Sequence, residues 1–199
     1  ERAAAAGAGA AGAGAAEALL LRAACVAHNK WATSEQLAQA LDTSRAAAVR
    51  TGDLRALRLH LFLCKAAASR DAAQLRTIPA QLTELIVSPP LTAAAADDLG
   101  SADATAWRAA CAAGFALLMA PMPRLLVRAR GARLLSLQQQ RTLEACLPPL
   151  LAAQEAVPPE GAARRALLAA VASCVVHAPP QLLRVQAARA VPLLVQWLQ

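Results

Sequence analysis

Three segments of this chain carry a proline inside a run of leucines at helical spacing: "RTIPAQLTEL" with Pro79, "EACLPPLLAA" with Pro148 and Pro149, and "RAVPLLVQWL" with Pro192. An interior proline removes one helical hydrogen bond and crowds the preceding turn, at a cost of about 3 kcal/mol. Three segments with such prolines, at comparable places in successive pairs, point to helices whose neighbours absorb a bend. Curved stacks of helical hairpins tolerate this, because adjacent repeats cover the disturbed turn.

The rest of the pattern agrees. Segments of helical periodicity come in pairs, at about 17–29 and 34–50, 53–68 and 71–88, 103–119 and 134–156, and 160–177 and 180–198. Thr33 and Gln36 form a candidate capping box, and Asp53 and Asp71 are candidate N-caps. "SPP" at 88–90, Pro158-Pro159 and Pro179-Pro180 close their segments, since a residue before proline avoids helical angles. First members start near 17, 53, 103 and 160, a spacing of 36 to 57 residues. Repeats of the HEAT and armadillo kind run to roughly 40–47 residues. The chain has no tyrosine and only 3% aromatic residues, while alanine, leucine, arginine and glutamine dominate. These are helix formers. The fold expected is all-α, a solenoid of about four HEAT/armadillo-like hairpins over residues 17–199. The Ala/Gly tract 1–16 is expected to be a linker or frayed lead-in. The absence of an initiator methionine suggests a fragment of a larger protein.

The helix faces fit a stack. Leu167, Val171, Cys174 and Val175 make one apolar stripe. In 53–68, Leu54, Leu57, Leu61 and Cys64 form a stripe, while Leu59 and Leu63 lie nearly opposite. That helix therefore needs partners on more than one side. Arg55, Arg58 and Lys65 share what remains, as a basic strip.

Little in the sequence carries chemistry. The five cysteines, Cys25, Cys64, Cys111, Cys146 and Cys174, include no C-x-x-C pair, and each sits in an apolar helical stretch. Metal and cluster spacings are missing, so buried thiols in a reducing compartment are expected, with no metal and no cofactor. His28, His60 and His177 have no acid or nucleophile at a recognised spacing. Ser34, Ser44 and Ser173 lie in no nucleophile elbow. Asp97 and Asp98 read as solvated loop charges. No catalytic residue is assigned, and the chain is expected not to be an enzyme. No membrane span is expected, because Pro179-Pro180 interrupt the longest uncharged run.

Net charge is +7, almost all of it on arginine, since Lys30 and Lys65 are the only lysines. Without Lys/Arg runs interleaved with aromatics, direct nucleic-acid binding is expected to be weak or indirect. Trp107 is expected in the core. Trp197 ends the last helix, where either a further repeat or a partner would dock.

The runs "AWRAACAAGFALLMAP" and "QQQRTLEACLPPLL…VVHAPPQLLRVQAARAVPLLVQWL" resemble the C-terminal HEAT region of the cytosolic iron–sulfur protein assembly targeting scaffold. That family is also the methyl-methanesulfonate-sensitivity, nucleotide-excision-repair and transcription homologue family. "GFALLM" (114–119), "VVHAPPQLL" (175–183) and "LLLRAACVAHNKW" (19–31) carry the likeness, which covers most of 17–199. It implies a non-enzymatic adaptor in the cytoplasm and nucleus, serving DNA repair and genome maintenance. Its partners would be a β-propeller protein and a small carrier protein of the late cluster-transfer complex, together with apo iron–sulfur clients. Arg184, Arg189 and Trp197 are the candidate partner-binding residues. The alternatives are a HEAT scaffold of another pathway and a basic solenoid that binds nucleic acid directly.

Overall fold

A computed structural model of the chain describes residues 32–90, 102–120 and 131–178, together with helical positions 184, 188, 191, 192 and 195. Six helices lie in the continuous part: α1 (Ser34–Thr51), α2 (Leu54–Arg70), α3 (Ala72–Val87), α4 (Ala102–Met119), α5 (Gly131–Ala156) and α6 (Ala162–His177). Among the described residues there is no strand. The expected helix at 17–29, the linker at 1–16 and the loop acids Asp97 and Asp98 lie outside the described residues.

The helix starts follow local chemistry. The Thr33 hydroxyl accepts from the Gln36 N–H at 3.2 Å, and the Gln36 side chain accepts from the Thr33 N–H at 2.9 Å. This reciprocal pair satisfies two of the four N–H groups that a helix start leaves open. Asp53 and Asp71 cap α2 and α3 through the N–H groups of Arg55 and Ala73, each at 2.8 Å. Asp71 is also the C-cap of α2, so one residue turns the chain from one helix into the next. Gly52 ends α1 at φ 65°, a left-handed conformation that costs glycine almost nothing.

The packing forms a two-row solenoid. α2, α4 and α6 lie side by side in one row, α3 and α5 in the other, and the chain steps between rows at each connection. α1 packs chiefly on α2. Its link to α3 is the Arg45–Glu84 ion pair at 2.5 Å, with Glu84 64% exposed, so solvent screening leaves it little weight.

α2 shows why one apolar stripe was not enough. Leu57, Leu61, Leu63 and Cys64 are buried, and Leu54 and Leu59 are half-buried, because α1, α3 and α4 each cover part of it. α2 approaches α4 closely at Gly114, where an added Cβ would stand 2.7 Å from Leu61 Cδ2. The stripe on α6 faces the core as expected, with Leu167, Val171 and Cys174 buried. Trp107 is 2% exposed and belongs to the core.

The interior prolines do not break their helices. α3 runs continuously through Pro79, and α5 through Pro148 and Pro149. Pro192 also stands at a helical position. The Pro79 ring is buried and Pro148 is exposed.

Neighbouring helices complete each other's ends. The carbonyls of Leu85 and Ile86 close α3, and they accept from Trp107 Nε1 at 3.1 Å and Arg108 Nε at 3.2 Å, both on α4. At the end of α4, the carbonyls of Leu118 and Ala120 accept from Lys65 Nζ at 2.8 and 2.5 Å. The Gln154 carbonyl, in the last turn of α5, accepts from Arg164 Nη1 of α6 at 3.0 Å. The last carbonyls of a helix have no partner inside it, and here the adjoining repeat supplies one.

Lys65 therefore leaves the basic strip expected for α2. Its stem is covered and its ammonium is turned onto backbone carbonyls, so Arg55 and Arg58 alone face solvent.

Candidate functional site

The described residues hold one grouping whose side-chain types suggest chemistry. α1 brings Ser44 against α2, where His60 and Cys64 stand one turn apart. Ser44 Oγ lies 3.0 Å from His60 Nδ1, and Cys64 Sγ lies 3.4 Å from Nε2. The Ser44 hydroxyl also donates to the Leu41 carbonyl at 2.9 Å. A hydroxyl has one proton to give, so its oxygen accepts from Nδ1–H, which leaves Nε2 to accept from the thiol. The chain of protons runs in one direction, from Cys64 through His60 and Ser44 to a backbone carbonyl.

Such a network holds its members in place and activates none of them. His60 is 0% and Cys64 1% exposed, so no substrate reaches them in the folded state. Burial, aided by the Arg45 charge, lowers the His60 pKa to about 4. Burial and the neighbouring Cys111 thiol push Cys64 up to about 12. At neutral pH the ring is uncharged and the thiol keeps its proton, whereas a nucleophilic cysteine needs the thiolate.

Cys111 and Cys146 are held protonated in the same way. Cys111, 0% exposed, is pushed up to about 12 by burial. The Cys146 thiol is hydrogen-bonded with that of Cys174 and also buried, which together hold its pKa well above the usual thiol value. Among the described residues no group of three or more His, Cys, Asp or Glu is placed to hold a metal ion. No described helix is long and apolar enough to cross a membrane. Cys25 and His28 lie outside the described residues. His177 ends α6, with Nδ1 2.9 Å from the Ser173 carbonyl, where a histidine suits the helix dipole.

The second grouping is a surface. Arg184, Ala188, Val191, Pro192 and Val195 stand at helical positions and repeat at i, i+4, i+7, i+8 and i+11, the spacing of a single helix face. All five are exposed, Val191 at 51% and Val195 at 48%. The face is an apolar strip with a cation at its head. Of the three candidate partner-binding residues, Arg184 stands on it, while Arg189 and Trp197 lie outside the described residues. The strip itself was not singled out from sequence. Its signal, Val191 and Val195 four residues apart, resembles that of a core stripe, and only burial separates the two.

The match to known proteins fits a helical stack of this kind. The family model described as the RNAPII transcription regulator C-terminal region, MMS19, matches residues 14–199. The chain belongs to the MMS19 family. The match covers all six helices and the exposed helical positions between 184 and 195, so the resemblance carried by "GFALLM" and "VVHAPPQLL" reflects membership of that family. No curated protein and no solved structure matches the chain.

Proposed function

We propose that this MMS19-family region is a non-enzymatic adaptor. It links apo iron–sulfur clients to the late cytosolic cluster-transfer complex, in cytoplasm and nucleus, and so serves DNA repair and genome maintenance. The observation that carries the reading is the family match over residues 14–199, in a chain whose described residues form a helical stack. A solenoid offers long, firm surfaces and no enclosed pocket, which suits holding proteins beside one another. The exposed strip Arg184–Val191–Val195 supplies an apolar contact area with a cation at its edge, and Arg189 and Trp197 fall on the same helix by sequence. Partners on this face are the β-propeller protein and the small carrier protein of the complex.

The family's description as an RNA polymerase II transcription regulator supports a second reading, in which the same stack holds components of the transcription machinery.

The test is a pull-down by the full chain from cell extract, scored for the propeller, the carrier protein and RNA polymerase II subunits. Beside it runs the charge-reversed, strip-broken variant Arg184→Glu/Val195→Asp. Both positions are exposed, so the variant keeps its fold. Capture of propeller and carrier by the native chain, lost in the variant, supports the adaptor. Capture of polymerase components alone supports the second reading. Submicromolar binding of a short duplex that persists at physiological salt would overturn both in favour of direct nucleic-acid contact.

A further inference from the structure

α4 and α6 are neighbours in one row of the stack, and alanine dominates where they meet at the surface. A groove of about 410 Å³ runs between them, floored and walled by Ala109, Ala113, Ala166 and Ala169. On α6 it extends from Ala162 to Ser173, which at 1.5 Å per residue is a length of about 16 Å, or three helical turns. Val176, 78% exposed, continues the same face of α6 one turn beyond Ser173.

The groove is not neutral. Two of its lining residues are arginines, Arg108 and Arg165, and none is acidic. Arg165 stands in the first turn of α6, and Arg108 comes before most of the alanines that line the groove from α4, so on each wall the charge lies toward the N-terminal side. Arg108 is 6% exposed and its Nε is fixed by the Ile86 carbonyl, while Arg165 is exposed. Arg165 is therefore solvated, and its pull on an opposite charge is that of a surface cation.

We propose that the α4–α6 groove is a docking site for an acidic amphipathic helix of a partner protein. Its length sets the ligand at about three turns. Alanine on both walls leaves room for leucine- or methionine-sized side chains at i, i+4 and i+7, the pattern of a helix laid in a groove. The arginine end selects an aspartate or glutamate in one terminal turn. A nucleic-acid backbone would need a row of cations along the whole length, and beyond the arginine end this groove offers mainly alanine. The site is separate from the Arg184 face, and its test does not depend on the adaptor reading.

The experiment is a fluorescence-anisotropy titration of the full chain against two labelled helical peptides. Both carry leucines at i, i+4, i+7 and i+11; one has two glutamates in its first turn and its twin has two lysines. Saturable binding of the glutamate peptide is expected, with the lysine twin weaker by about tenfold. Arg165→Glu should weaken the glutamate peptide by about tenfold and strengthen the twin. Ala109→Gln, which fills the groove from an exposed helical position, should weaken both peptides. Thermal melts of the two variants check that the stack is intact. Equal binding of the two peptides, no saturable binding of the glutamate peptide, or indifference to both substitutions overturns the proposal. Displacement of the peptide by a short duplex DNA overturns it in favour of a nucleic-acid groove.

Discussion

His60 Nδ1 stands 3.0 Å from Ser44 Oγ, and through this contact the ring joins α2 to α1 inside a fully buried layer. The join depends on an uncharged ring. The folded pKa is lowered to about 4 from an ordinary value of 6.5. A depressed value means that the unfolded chain binds the proton first, so the contribution to stability is complete above pH 6.5 and is lost as pH falls toward 4. Over that window the loss is about 3 kcal/mol. Urea melts between pH 5 and 7 should show a stability slope in the native chain that His60→Gln removes.

The thiols set the alkaline limit. Cys64 and Cys111 are held near 12 against an ordinary 9.0. A raised thiol value gives stability that is complete below pH 9 and is lost as pH rises toward 12. In the same burial lies a chemical test. With Cys25→Ser in place, the four described thiols should resist a disulfide reagent at neutral pH for as long as the fold persists, then react together in denaturant. Rapid labelling of Cys64 or Cys174 in the native chain would contradict the described core.

Gln154 is 2% exposed, and neither atom of its side-chain amide has a hydrogen-bond partner. A buried amide without partners costs about 1–3 kcal/mol. Gln154→Leu keeps the volume and removes the polar atoms, and the carbonyl that Arg164 caps is backbone and stays. The variant should be more stable by about 1 kcal/mol or more in denaturant melts. A loss of stability would mean that the amide has a partner in solution.

The prolines separate two effects. Pro148 is exposed, so Pro148→Ala loses little packing and restores the missing N–H to α5. It should stabilise the chain by about 1–3 kcal/mol. Pro79 is buried in α3, and Pro79→Ala gives up ring contacts as well, so its gain should be the smaller. Equal gains at the two sites would mean that burial of the Pro79 ring contributes nothing.

The sequence by itself determined the local structure. Alanine and leucine periodicity gave helices, and Thr33, Asp53 and Asp71 set three of their starts, because capping acts within three residues and needs no distant partner. The paired spacing and the double prolines gave the stack, and Trp107 was legible as core. The tertiary structure alone decided what meets across helices. Lys65 looked like a solvent-facing cation because its own helix carries two arginines nearby, yet the end of α4 arrives beside it and offers two carbonyls. His60 had only Cys64 within reach along its helix, and Ser44 comes to it from α1, sixteen positions away. The α4–α6 groove likewise joins residues from two separate segments, Thr105–Ala113 and Ala162–Ser173. Helical periodicity records which face of a segment is apolar. It does not record which other segment will cover that face, since alanine and leucine stripes are interchangeable until backbone length and loop geometry bring one pair together.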